Sequence, residues 1–140
     1  MANSTAASRE DLGKLVLRLA LGSVLLFHGV FKLRHGVDWI RQTLGTVGLP
    51  GFLAHGAYVA EILAPVLLVL GVRARLAASI IAIEMVAAVL LVLRSKVFTV
   101  NENGGGWAIE LEALVFFAAV AIFLTGSGKY RLGGPPGPWD

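Results

Sequence analysis

His28, Lys32 and Glu112 are the residues best suited to proton and electron chemistry, and each stands near the end of an apolar run. A histidine and a carboxylate at one depth can offer a hydrogen bond to each carbonyl oxygen of a quinone and carry the two protons that accompany two electrons. Lys32 adds a positive charge, and Trp107, Phe27, Phe31 and Phe52 can supply flat apolar walls. A second set, Arg18, Glu61 and Glu84, lies deeper in the runs. A charge in hydrocarbon costs at least about 2.5–3.5 kcal/mol, so each is expected to find a partner or a polar pocket.

Four apolar stretches must position these groups: roughly 12–31, 52–71, 76–93 and 107–125. Only 15% of the 140 residues are charged and 56% are hydrophobic, whereas soluble domains average about 25% charged. Runs such as Ile62 to Leu70 are apolar all round, without the polar face of a surface helix. A helical span needs about 20 residues, so the chain has room for four spans with short connections. The expected fold is all-α: an integral membrane four-helix bundle, up and down. A segment 1–11 precedes the four-span region 12–132, and a Gly/Pro-rich tail, 133–140, follows it.

Several function classes fall away. There is no cysteine, which removes thiolate chemistry and iron–sulfur ligation from this chain. The histidines have neither zinc spacing nor a covalent haem motif, and His28 with His55 is the one pair at comparable depth that could flank a haem; no metal is predicted. A net charge of +3 comes from Lys and Arg scattered over span ends and loops, a membrane-flanking pattern and not a nucleic-acid one. Gly104-Gly105-Gly106 lacks the Lys-Ser or Lys-Thr of a phosphate loop, and no Gly-x-Ser-x-Gly nucleophile motif occurs.

Leu49-Pro50-Gly51 breaks the chain before the second span, and the polar Asn101 to Gly106 linker precedes a fourth helix expected to start at Trp107. The first run holds Arg18 and has no Ala-x-Ala site, so it reads as a retained helix. The short basic turn Gly71 to Arg75 favours both termini on the cytoplasmic side.

Depth arithmetic pairs the charges. At about 1.5 Å per residue, Arg18 lies roughly 9 Å into helix one, and Glu61 and Glu84 roughly 14 to 15 Å from the turn at Gly71. An Arg18 pair with Glu61 or Glu84 is expected, as a packing lock or as part of a proton relay. His28, Lys32, His55, Glu110 and Glu112 share the opposite depth zone. Glu110 and Glu112 are about 200° apart on a helix, so one points inward, taken to be Glu112.

Arg18 to Gly22, then Gly22, Phe27, Gly29 and Lys32, in the spacings Arg-x-x-x-Gly and Gly-x4-Phe-x-Gly-x-x-Lys, resemble the first helix of DoxX-family proteins. Glu61 with Leu70-Gly71-Val72-Arg73-Ala74-Arg75, and Glu112 with Gly126, resemble that family's later helices. The resemblance covers about 12–132. It implies a small bacterial inner-membrane protein with four helices, some of whose relatives are subunits of quinone-reducing systems. Combined with the residues, the reading is a membrane subunit of a quinone-linked redox system, with His28 and Glu112 catalytic and Lys32, Trp107, Phe27 and Phe31 around the quinone. The alternatives are a structural subunit anchoring a larger complex and a small proton-coupled transporter. Ala74, Ala78 and Ala82 on helix three form a small-residue stripe expected to receive another helix of the same bundle, and helix three is also the candidate docking face for other membrane or redox subunits.

Overall fold

The computed structural model describes residues 2–102, 104–132 and 137–140, with side chains from residue 7 onward. Its helices are α1 (Ala2–His35), α2 (Asp38–Thr46), α3 (Gly51–Leu70), α4 (Ala74–Lys96) and α5 (Glu110–Thr125). Three are long and apolar enough to cross a membrane: α1 over Ala7–His35, α3, and α4. The 16 residues of α5 rise only about 24 Å, less than the roughly 30 Å of a hydrocarbon core.

Three boundaries differ from those expected. First, α1 runs back to Ala2, because Ala2 to Asp11 contains no glycine or proline and Glu10 pairs with Lys14 one turn on at 2.8 Å. Second, the connection after α1 is itself helical: Val37, Ile40 and Leu44 put an apolar stripe on α2 that packs over Ala54, Tyr58 and Leu91. Third, the fourth helix starts at Glu110 and not at Trp107. Trp107 is held in an antiparallel bridge with Val100, and its indole donates to the Val97 carbonyl at 2.6 Å. Asn101 N–H donates to Gly106 O at 2.7 Å, and Gly105 takes φ +70°. Asn103 itself, Met1 and the stretch 133–136 assigned to the tail lie outside the described residues.

The bundle closes around small and branched side chains: Leu21 and Leu25 of α1, Ala64 and Leu68 of α3, Ala77, Ala78 and Ile81 of α4, and Val115, Ala119 and Ile122 of α5. The alanine stripe of α4 is therefore occupied. Ala74 and Ala78 are fully buried inside the bundle and Ala82 packs on the same core, mostly against α5, so the stripe is not free to receive another subunit.

Two glycines set how closely α1 meets α3. A Cβ on Gly22 would sit 2.7 Å from Val69 Cγ2, and one on Gly29 would sit 2.6 Å from Ile62 Cγ1 and closer still to the Glu61 carbonyl oxygen. Pro65 explains why that carbonyl is available: it has no N–H for the carbonyl four residues back, and α3 is π-wound over Val59–Leu63 at this place. Thus Gly29, Glu61 and Pro65 together bring the two helices into backbone contact.

At the other end of the bundle, Gly71 and Arg73 take left-handed conformations in the turn between α3 and α4. The segment after α5 folds against it, with Leu132 N–H to Leu70 O at 2.9 Å and Lys129 N–H to the Asp11 carboxylate at 3.2 Å. Consecutive long helices therefore alternate in direction. The last residues dock on the same turn: Arg75 N–H donates to Trp139 O at 3.0 Å, and Arg73 N–H to Asp140 Oδ1 at 2.6 Å. The Gly137 and Arg73 amides hold the Asp140 carboxyl below its ordinary value.

Candidate functional site

A cavity of about 230 Å³ opens among the helices, toward the α2 side of the bundle. Each helix contributes at its own period. Leu25, His28 and Lys32 come from one face of α1, Trp39 from α2, and Glu61 from the π-wound turn of α3. Glu84, Met85 and Ala88 come from α4 just before its own π-wound turn, Val89–Leu93, and Glu112 and Val115 come from α5. A π turn inserts one residue into a helix and widens it locally, and two of them border this one cavity.

The centre of the site is an ion pair. Lys32 Nζ donates to Glu61 Oε1 at 2.5 Å, with Glu61 only 5% exposed. Lys32 also lies 5.9 Å from the Trp39 ring centroid, a cation–π distance, and its backbone carbonyl accepts from the Tyr58 hydroxyl at 3.4 Å. The Glu84 carboxylate stands beside that of Glu61 and within electrostatic reach of Lys32. Glu112 is half-buried on the cavity wall, and His28, exposed yet part of the lining, marks its mouth. Glu110 is exposed and turns back over Gly106.

Arg18 is not in this cluster. It is fully buried, but its guanidinium turns toward the α3–α4 turn, donating to Leu68 O at 3.1 Å and to Tyr130 O, and lying against Gly71. The expected pair with Glu61 or Glu84 does not form. Arg18 reaches away from the bundle centre to the end of α3, while Glu61 sits about ten residues, roughly 15 Å, further along that helix. The partner of Glu61 is instead Lys32, assigned from sequence to a different depth zone. The end of α1 lies level with the middle of α3 because α2 intervenes before α3 begins.

The aromatic walls also change. Phe27, Phe31 and Phe52 are 80%, 58% and 71% exposed and none lines the cavity; Phe31 stacks on His35 and the other two face outward. Trp39 takes their place, and a helix at 38–46 was the missing inference, signalled by the i, i+3, i+7 spacing of Val37, Ile40 and Leu44. Trp107 lines a neighbouring apolar groove of about 250 Å³ with Val86, Val89, Leu90, Phe116 and Phe117. Groove and cavity share Met85 and Glu112 in their walls, so they adjoin. His55, exposed at the start of α3 and bonded to Phe52 O, belongs to neither.

This arrangement can hold and pass protons and grip a small polar ring. Lys32 and His28 are donors, and Glu84 and Glu112 can carry protons between the interior and the mouth. The family model for DoxX matches residues 13–94. Over 117 residues the chain is 27% identical to a protein of Bacillus subtilis (strain 168) named "Putative oxidoreductase CatD", covering 84% of this chain and 81% of that one. No solved structure matches.

Proposed function

The chain belongs to the DoxX family, a premise shown by the family match over more than half its length, and from it we propose a multi-pass subunit of a quinone-linked redox system in the bacterial inner membrane. The observation that carries this reading is that a cavity holding Lys32, Glu61, Glu84 and Glu112 adjoins an apolar groove between α4 and α5, with Met85 and Glu112 in the walls of both. Pockets for drug-sized ligands run about 300–1,000 Å³. The cavity alone has room for one substituted ring, and the groove gives an apolar tail a path to the lipid.

A quinone supplies a two-electron, two-proton couple. In this chain Lys32 and His28 orient its head group, Trp39 flanks the ring, and Glu84 and Glu112 hold the protons. The electrons come from a partner subunit with its own redox cofactor, and the oxidoreductase name of the Bacillus relative supports that setting. The basic turn with Arg73 and Arg75, together with Lys129 and Arg131 beside it, faces the cytoplasm under the positive-inside rule. α5 completes the fourth span with the help of its flanking residues.

The test is to isolate the protein from its native membrane in mild detergent and assay one sample for bound quinone and co-purifying proteins. Stoichiometric quinone that is lost in Glu112→Gln or His28→Ala, with the complex intact, is the expected result. A stable larger complex with no quinone in any preparation would refute it and make the chain a structural subunit. Arg18 is the observation on that side, since an intramembrane cation bonded to two backbone carbonyls serves packing and not chemistry.

A further inference from the structure

The cavity lies at one end of the bundle. Lys32 stands within a turn of the end of α1, Leu93 within a turn of the end of α4, and Leu111 and Glu112 in the first turn of α5, all on the side of Trp39 and α2. Leu25 and Glu84 lie deepest, roughly 15 and 18 Å from the ends of their helices at about 1.5 Å per residue. Beyond them, toward the α3–α4 turn, the four long helices carry two polar side chains over 19–24, 62–70, 77–83 and 116–122. Ser23 is exposed, and Ser79 donates to the Arg75 carbonyl of its own helix. The interior of this layer is made of buried Leu21, Ala64, Leu68, Ala78, Ile81 and Ala119. At its far side Arg18, fully buried, is tied to the Leu68 and Tyr130 carbonyls.

From this layering we infer that the cavity is a dead end, exchanging protons with the aqueous phase on the α2 face alone. With the basic α3–α4 turn in the cytoplasm, that face is the outer one. A proton relay advances between groups about 2.6–3.2 Å apart. The stretch of α3 from Glu61 to Leu68 is roughly 10 Å long, and no side chain in the layer around it is placed to take a proton inward. Arg18 closes the far side, because a guanidinium keeps its proton and its charge repels another cation.

The consequence for the reaction rests on the cavity being a quinone site. Reducing a quinone forms two O–H bonds, with two electrons from the partner subunit's redox cofactor and two protons. Both protons come from the outer phase, by way of Glu112 at the wall and Glu84 at the depth of the cavity, and oxidation of the hydroquinone returns both there. A proton-coupled transporter needs a second opening toward the cytoplasm, which this layer denies.

The chain has no cysteine, so a single introduced thiol reports which phase sets its protonation. Leu111→Cys places one on the cavity wall, and Val92→Cys, on the same wall from α4, gives a second reading if the first variant does not assemble. Lys129→Cys, exposed at the basic end, is the control. The full chain is held in everted membrane vesicles, whose medium bathes the cytoplasmic face and whose lumen bathes the outer face, with the pH of each set by impermeant buffers. N-ethylmaleimide crosses the bilayer and reacts with the thiolate, whose fraction rises about tenfold per pH unit below the ordinary thiol value of about 8.5. Labelling of the cavity cysteine is expected to rise about tenfold per unit of lumen pH and to ignore the medium, and Lys129→Cys is expected to do the reverse. A cavity cysteine that follows the medium, both phases or neither would overturn the inference. A fully substituted decyl-chain benzoquinone is expected to slow the cavity labelling. Labelling that follows the lumen but is not slowed would leave the one-sided access standing and remove the quinone from the cavity.

Discussion

Gly29→Ala tests the contact on which the site is built. A methyl group there meets Ile62 Cγ1 at 2.6 Å and the Glu61 carbonyl carbon at 2.9 Å, whereas ordinary contact begins at 3.4 Å. Relief requires α1 and α3 to part by about 0.8 Å, and overpacking of this kind costs about 1–3 kcal/mol. Lys32 is one turn beyond Gly29, so the same displacement carries its 2.5 Å bond to Glu61 out to about 3.3 Å, beyond the roughly 2.7–2.9 Å of charge-assisted bonds. Alanine is also a better helix former than glycine by about 1 kcal/mol, which opposes the loss. Gly13→Ala isolates that opposing part, because nothing lies within 4 Å of a Cβ at Gly13 on the same helix. Thermal unfolding in one detergent should place Gly13→Ala at or above the native Tm and Gly29→Ala below it. The gap between the two variants should be about 2–12 °C, at roughly 2–4 °C per kcal/mol for a chain near this size. If Gly29→Ala melts level with Gly13→Ala, the close approach of the two helices at Glu61 is refuted.

Other perturbations follow from the same geometry. Lys32→Met leaves two neighbouring buried carboxylates without their cation and should destabilise by about 3–5 kcal/mol; Lys32→Met with Glu61→Leu should recover most of it, and a double variant as unstable as the single one would show that the pair is not the cause. Arg18→Leu frees the Leu68 and Tyr130 carbonyls, so limited proteolysis should cut near Tyr130 faster than in the native protein, while an unchanged cleavage pattern would remove Arg18 as the tie. The Asp140 carboxylate has a depressed pKa in the folded chain, so its contribution to tail docking is complete above the unfolded value, ~3.9, and is lost as pH falls through the lower folded value. An NMR titration following the Arg73 amide should show that loss only below the ordinary carboxylate range, and a midpoint at or above that range would contradict it. Ala113→Trp fills the groove beside Phe116 and Phe117, and should weaken binding of a decyl-chain quinone more than of a tailless one; equal weakening would take the tail out of the groove.

The apolar runs announced the all-helical membrane fold because they lack any polar face, and a run such as 62–70 has no other solvent. What they could not announce was relative height. Arg18 and Glu61 were matched by counting residues from a shared turn, but a long side chain can lie up or down its helix, and Arg18 lies down toward Gly71. Lys32 and Glu61 were separable only because α2 was not recognised: its nine residues are too short to register as a span and too polar to register as core. The aromatics failed for a related reason. Phe27 is one residue from His28, so on a helix it points about 100° away, and a face cannot hold both. The start of the fourth helix differs from Trp107, an apolar residue whose indole is bonded back to the preceding loop, while its end at Thr125 agrees.

The clasp made by Arg18 joins residues 112 positions apart. During synthesis the first helix reaches the membrane carrying a guanidinium whose two carbonyl acceptors do not yet exist there, one on the third helix and one beyond the fifth. Until the last residues are made, that charge must stay with water or lipid headgroups, and α1 is held at the depth they allow. Final seating of α1 is then the closing event of biogenesis, and a nascent chain truncated before Tyr130 carries the same helices with their first member unlatched.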